Sequence, residues 1–224
     1  MTSAISVCNL NFKINNCNIL KNINIDIKKG ECVIITGHNG AGKTTLLKVI
    51  NNLIKTKNGN VKIFDKDICN TVKKHIGYIP QINFVDKFIP ISVQDVIKIG
   101  LTAKNGIFKR ISAEDKDKIN NIAKMLKIEH LLNKPIGQLS GGQIQKVSIA
   151  RVLVQDAKII LMDEPLNNLD NYSQNEILNI IDSMHKEKTM VIVTHNLKLI
   201  PKSCNKIIVM ENGKIIKTEE RLNN

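Results

Sequence analysis

Residues 37–44 read Gly37-His38-Asn39-Gly40-Ala41-Gly42-Lys43-Thr44, the spacing G-x-x-x-x-G-K-[ST]. The chemistry this spacing can do is capture of phosphate. Glycines let successive backbone N–H groups converge on oxygens without Cβ clashes, and a helix that follows aims its positive end at the same point. Lys43 can then reach β- and γ-phosphates, and the Thr44 hydroxyl can sit on Mg²⁺. The expected contact set is Gly37, Asn39, Gly40, Ala41, Gly42, Lys43, Thr44 and Thr45. The alternative is a glycine-rich turn with an incidental lysine.

Two further strings carry chemistry. Leu161-Met162-Asp163-Glu164-Pro165 ends an apolar stretch with two adjacent carboxylates. At the C-terminal end of a strand they point into the crevice where α/β sheets bind ligands. Asp163 can hold Mg²⁺ through water, and Glu164 can orient or deprotonate an attacking water. Alone, such a pair is more commonly a solvated acidic patch; downstream of a phosphate loop it gains specificity. Leu139-Ser140-Gly141-Gly142-Gln143 precedes a helical stretch bearing Ile144, Val147 and Ile149. Ser and two Gly at a helix N-terminus make a second anion nest. One nucleotide does not need two nests from one chain, so this one is expected to serve a nucleotide held by another copy.

The elements that must position these strings follow from periodicity. Ile23, Ile25 and Ile27 alternate with Asn24 and Asp26, the pattern of a half-buried strand, after a turn at Asn15-Asn16. Cys32–Thr36 is a continuous apolar run suited to a buried parallel strand, and Leu46, Leu47, Val49, Ile50 and Leu53 fit a helix. Asn58-Gly59 reads as a hairpin turn before a strand at Val61–Phe64. Ile76–Ile79 is a short strand stopped by Pro80. From Ser92 to about Val154 the period is helical, with Ile119, Ile122, Ala123 and Leu126 on one face and helix starts at Ser92 and Ser112. Strands return at Ile159–Met162, Met190–Thr194 and Lys206–Met210. Ser173 and Glu176, at capping-box spacing, are expected to open a helix whose core face is Ile177, Ile180, Ile181 and Met184. A last hairpin turns at Asn212-Gly213. The layout is an α/β core interrupted by a helical insertion at about residues 86–155.

Composition narrows the classes. Of 224 residues, 42% are apolar and 24% charged, near the globular average, so wholesale disorder is excluded. No apolar run approaches the roughly 18 residues of a spanning helix. The start, Met1-Thr2-Ser3-Ala4, fits neither a signal peptide nor a lipidation site, so export by the common route is not expected. The net charge of +13 is spread over scattered lysines and gathers in no stripe. Aromatics are 3%, too few for a base-stacking surface, and no nucleic-acid partner is expected. Cys8, Cys17, Cys32, Cys69 and Cys204 are odd in number with no C-x-x-C, which points to reduced thiols rather than a disulfide framework or a transition-metal site.

Taken in order, the strings resemble the ATP-binding-cassette ATPases, and the likeness runs from end to end. The ordered set is the phosphate loop Gly37–Thr44, Gln81 in Ile76-Gly77-Tyr78-Ile79-Pro80-Gln81, the signature Leu139–Gln143, Asp163-Glu164, Leu169-Asp170, and His195 after Val191-Ile192-Val193-Thr194. The resemblance implies an α/β P-loop NTPase core (residues 1–85 and 156–224) with an N-terminal antiparallel β-subdomain and an inserted helical subdomain (86–155). It implies ATP and Mg²⁺ as ligands. Gln81 would sense Mg²⁺ and the γ-phosphate, His195 would hold the γ-phosphate, and Lys43 and Glu164 would complete the catalytic group. Ser140, Gly141, Gly142 and Gln143 would contact the opposite copy's ATP, with Asp170 in the loop that crosses the interface. Phe12 falls where the family stacks an aromatic on adenine; a core Phe is the other reading. His38, Thr44, Lys146 and Asn167-Asn168 depart from the usual Pro, Ser, Arg and loop residues. Lys146 keeps the charge but not the planar fork.

Gln81 and Leu139 are 58 residues apart, which excludes the relatives with long coiled-coil insertions. One cassette without a fused membrane segment implies a separate subunit on the cytoplasmic face of a permease, paired head to tail with a second copy and served indirectly by an external solute-binding protein. The stretch Ile82–Ile97 is similar to that of zinc and manganese importer ATPases. Importers of another substrate, a soluble cassette without a permease, and a P-loop kinase or GTPase that makes no use of Leu139–Gln143 remain open.

Overall fold

Asn15 and Asn16 take left-handed backbone conformations, φ 45° and 63°, and reverse the chain between β1 (Ser3–Ile14) and β2 (Cys17–Lys28). The computed structural model describes residues 2–56, 58–68, 72, 74–81, 90–105, 111–185 and 187–221. Cys69 and the 82–89 part of the importer-like stretch lie outside the described residues. β1 pairs antiparallel with β4 (Asn58–Ile63), and β4 with β5 (Lys66–Asp67), giving a four-stranded antiparallel sheet of order β2-β1-β4-β5.

The second sheet has six strands. β3 (Cys32–Thr36), β6 (Ile76–Ile79), β7 (Ile159–Asp163), β8 (Thr189–Val193), β9 (Lys206–Glu211) and β10 (Lys214–Glu220) lie in the order β10-β9-β3-β8-β7-β6. All pairings are parallel except β9 with β10. Its central strands are continuous apolar runs because both faces are covered. Cys32, Ile34, Ile160, Met162, Met190 and Ile192 pack toward one core, with the helices. Val33, Ile35, Ile159, Leu161, Val191 and Val193 pack toward another, with the antiparallel sheet and α1 (Lys43–Ile50). The period-2 alternation therefore sorts neighbouring residues of one strand into two different cores.

The helices are α2 (Val93–Asn105), α3 (Ala113–Met125), α4 (Gly141–Val154) and α5 (Asn171–His185), with 3₁₀ turns at Glu129–Leu131 and Ile136–Gln138. Ser92 accepts from the Asp95 amide, and Ser112 and Asp115 form a reciprocal capping box, so both expected helix starts stand where the sequence puts them. No helix among the described residues is long and apolar enough to cross a membrane.

Two local expectations are corrected. Asn58-Gly59 is not a hairpin turn but the start of β4; the turn lies at Phe64-Asp65, both at positive φ. A Cβ at Gly59 would lie 2.5 Å from the Leu10 Cα, so the glycine serves close strand approach. The helix after β7 begins at Asn171, ahead of Ser173. Asp170 is its cap, its carboxylate accepting from the Ser173 amide (2.9 Å) and hydroxyl (2.7 Å). These two bonds hold the Asp170 pKa below the usual carboxylate value. An acid cap meets the helix dipole as well as the amide, which is why Asp170 wins over Ser173.

Candidate functional site

Four parallel strands end at the same edge of the large sheet, and each delivers one piece of chemistry there. β3 runs into the loop 37–42 and α1, β6 leads to Gln81, β7 ends on Asp163 followed by Glu164, and β8 is followed by His195. Convergence at the carboxyl ends of parallel strands is the general location of ligand sites in such sheets. A cavity of about 350 Å³ opens at this edge, lined by Asn39, Gly40, Gly42, Lys43, Thr44, Thr45, Gln81, Glu164 and His195, together with Ile19 and Asn167.

The loop is held by its own side chain and by the strand ends. Lys43 Nζ donates to the carbonyls of Gly37 (2.8 Å) and His38 (2.9 Å), and the residue is 6% exposed. Gly42 has φ 97°, and a Cβ there would lie 2.9 Å from the Ile19 carbonyl oxygen. Thr44 Oγ1 donates to Asp163 Oδ1 at 3.0 Å, and the Tyr78 hydroxyl donates to Asp163 Oδ2 at 3.5 Å. Burial raises the Asp163 pKa; the Thr44 hydrogen bond opposes this, and the Glu164 charge adds to it. The Tyr78 hydroxyl is pushed up to about 12, first by burial and then by Asp163.

Glu164 takes φ 50°, an uncommon conformation for a non-glycine residue and one typical of functional positions. Its amide donates to the Val193 carbonyl, tying it to β8. Glu164 Oε1 and His195 Nδ1 are 2.9 Å apart, the carboxylate side chain 10% exposed and the imidazole 53% exposed.

The second nest lies elsewhere. Ser140 Oγ accepts from the Gln143 amide and Gln143 Oε1 from the Ser140 amide, a capping box at the start of α4. Ser140, Gly141 and Asp170 are exposed and do not line the cavity. A Cβ at Gly142 would lie 2.6 Å from the Ser173 Oγ, so α4 and α5 start in contact. Lys146 Nζ pairs with Glu176 Oε2 at 3.0 Å between the same helices, giving the departure from Arg a partner within the chain.

Gly37 and Ala41 shape the loop without lining the cavity. Phe12 packs partly buried against the core under the antiparallel sheet. Ile19, on the neighbouring strand, and Asn167 line the cavity and escape sequence reasoning. The alternation that marked Ile23, Ile25 and Ile27 breaks at Asn22 (φ 51°), beyond which Leu20 is the buried residue, so it gave no signal for Ile19, and Asn167 carried none beyond being atypical.

Chemically, the arrangement offers convergent amides and an ammonium for phosphates. It offers an all-oxygen donor set of Thr44 hydroxyl, Asp163 carboxylate and Gln81 amide for a hard divalent cation, and a carboxylate beside an imidazole for moving a proton. That oxygen set fits Mg²⁺.

Fold and site together define a cassette-type P-loop ATPase. The ABC transporter family matches residues 20–167, and the chain belongs to that family. It is 35% identical over 211 residues to the manganese transport system ATP-binding protein MntB of Halalkalibacterium halodurans, covering 94% of this chain and 84% of the relative. It is 33% identical over 228 residues to the phosphonates import ATP-binding protein PhnC of Fusobacterium nucleatum, covering 96% and 92%. A solved dimeric cassette in a post-hydrolysis state, bound to ADP and Pi, superimposes with a TM-score of 0.79 at 28% identity, covering 96% of this chain and 98% of that one. The chain is thus an ATP-hydrolysing subunit of an ABC transporter.

Proposed function

We propose that this subunit powers import of a divalent metal ion, zinc or manganese, from the cytoplasmic face of the membrane. It would bind a transmembrane permease there, with an external solute-binding protein delivering the ion. The identity to a manganese transport subunit over nearly the whole chain supports the metal reading. The similar identity to a phosphonate import subunit favours a second reading, import of an organophosphorus anion.

The observation that carries the mechanism is the convergence of Lys43, Thr44, Glu164, Gln81 and His195 on one cavity, with the buried Asp163 behind them on the Thr44 hydroxyl, while Ser140–Gln143 lie outside it. Lys43 and the loop amides bind the phosphates of ATP. Lys43 exchanges its two loop carbonyls for phosphate oxygens as it does so. Thr44, Asp163 and Gln81 would hold Mg²⁺, which would supply neutralising charge to the phosphates. Glu164 accepts a proton from the attacking water. His195 lies 2.9 Å from Glu164 and orients that carboxylate or the γ-phosphate. A second copy, head to tail, brings its Ser140–Gln143 nest to the same ATP, with Asp170 at the crossing; the exposure of Ser140 and Asp170 supports this.

Uptake of zinc, manganese and iron, and of a phosphonate, by cells with and without this chain tests the cargo. Loss of zinc or manganese uptake on deletion is the expected result. Unchanged metal uptake with loss of phosphonate uptake would favour the second reading.

A further inference from the structure

β6 is an edge strand, with β7 on one side only. The carbonyl of His75, just before β6, faces β7 and accepts from the Ile159 amide, so alternation turns the Ile76 and Tyr78 carbonyls to the open edge. Among the described residues no strand covers that edge; α4 and the residue after it do. Arg151 Nη2 donates to the Tyr78 carbonyl at 3.0 Å. Gln155 Nε2 donates to the carbonyls of Ile76 (2.9 Å) and Lys74 (3.1 Å). The last turn of α4 and its C-cap Gln155 thus stand where a neighbouring strand would.

The same turn has no room to slide. A Cβ at Gly77 of β6 would lie 2.1 Å from Val152 Cγ1, and one at Gly100 of α2 would lie 2.0 Å from the Arg151 carbonyl oxygen. Burial lowers the Arg151 pKa, so the guanidinium is kept here against a desolvation cost. Tyr78 is held at both ends, its carbonyl by Arg151 and its hydroxyl reaching toward Asp163. Three residues further on, past the stiff Pro80, stands Gln81 in the cavity. The far end of α4 is the Ser140–Gln143 nest.

We propose that Arg151 is a positioning residue for Gln81: it locks the strand that delivers Gln81 to the helix that carries the nest. A displacement of the nest by a neighbouring copy's nucleotide is then passed along α4 to Gln81 as a rigid movement. This deepens the reading of the cavity as the ATP site and rests on it.

The test is a double-mutant cycle on the full chain: wild type, Arg151→Met, Gln81→Ala and the pair, each assayed for kcat, KM for ATP, affinity for a fluorescent ATP analogue, and melting temperature. Arg151→Met should lower kcat about tenfold, the scale of a hydrogen bond from a charged donor, with analogue affinity and KM held within about twofold. The double variant should be no slower than Gln81→Ala alone, and Arg151→Lys should restore part of the rate. Losses that multiply in the double variant, or that fall on nucleotide affinity, would overturn the positioning role. If Arg151→Met does not fold, the cycle with Arg151→Lys is read by the same criterion. A wild-type chain that hydrolyses no ATP would overturn the site reading instead, which keeps the two failures distinct.

Discussion

Glu164 and His195 meet at 2.9 Å although they follow different strands, and the Glu164 amide is itself bonded to the end of β8. The pair is therefore set by the register of β7 against β8 and not by either loop alone. Glu164→Gln keeps the shape and removes the proton acceptor. Hydrolysis should fall by about 10²- to 10⁴-fold while ATP binding persists. Size-exclusion chromatography with ATP should then reveal an accumulated dimer. Turnover at the wild-type rate would remove Glu164 as the base.

Lys43 is the buried cation of the loop, and its present partners are two backbone carbonyls. Lys43→Ala deletes a charged donor worth about 1.5–3 kcal/mol, a loss of about 10- to 150-fold in ATP affinity. Isothermal titration calorimetry measures this directly, and unchanged affinity would exclude the assigned contact.

Asp163 carries a pH signature. Its pKa is raised above 3.8 by burial, the Glu164 charge adding and the Thr44 bond opposing. A raised folded-state pKa means a stabilising contribution complete below the unfolded value and lost as pH rises through the folded one. At neutral pH the ionised carboxylate then costs stability. Asp163→Asn should melt higher than wild type without nucleotide, the gap opening upward from about pH 4, while ATPase activity is lost. Thermal melts across pH decide it; a wild type that is the more stable throughout would contradict the assignment.

Lys146 and Glu176 tie the two helices that start beside the nest, with side chains 12% and 26% exposed. Lys146→Met leaves the half-buried Glu176 carboxylate without its cation, with the Tyr172 hydroxyl at 3.5 Å still donating to it. The expected loss is about 1 kcal/mol, or about 2–4 °C in Tm for a chain of this size. Glu176→Gln on top of it should recover part of that loss, because the stranded charge is removed.

Cys32 and Cys204 stand 172 residues apart in sequence, yet their sulfurs are 2.6 Å apart and buried. The Cys32 contact, then burial, push the Cys204 thiol well above its usual pKa. Cys8 and Cys17, both exposed, should react quickly with an aromatic disulfide reagent, and Cys32 and Cys204 only on unfolding. Five thiols should be titrated in denaturant. A count of three would mean that the buried pair had closed, against the reduced-thiol reading of the sequence.

Much of the site was legible because its chemistry imposes contiguous spacing. A phosphate loop must offer neighbouring amides, so Gly37–Thr44 announce themselves in a single stretch, as do Ser140–Gln143 as a capped nest. Helix starts at Ser92 and Ser112 were equally local, since a cap needs only a partner three residues away. Where a local signal had two meanings, packing chose between them. Asn58-Gly59 carries hairpin chemistry, but the approach of β1 at Leu10 demands a glycine inside a strand. Ser173 has the spacing of a cap, but Asp170 offers the stronger acceptor one turn earlier.

Residue types and spacings were enough to identify the parts of an ATPase, since each part is a short run whose function depends on adjacent backbone groups. Folding alone settled which parts meet. It carried Gln81, Asp163, Glu164 and His195 to one edge by stacking four parallel strands, brought Ile19 and Asn167 to the cavity, left the nest of α4 outside it, and placed Arg151 on the carbonyl of Tyr78. Such contacts join residues tens to more than a hundred positions apart. Their geometry comes from sheet order and close helix packing, which no local pattern encodes.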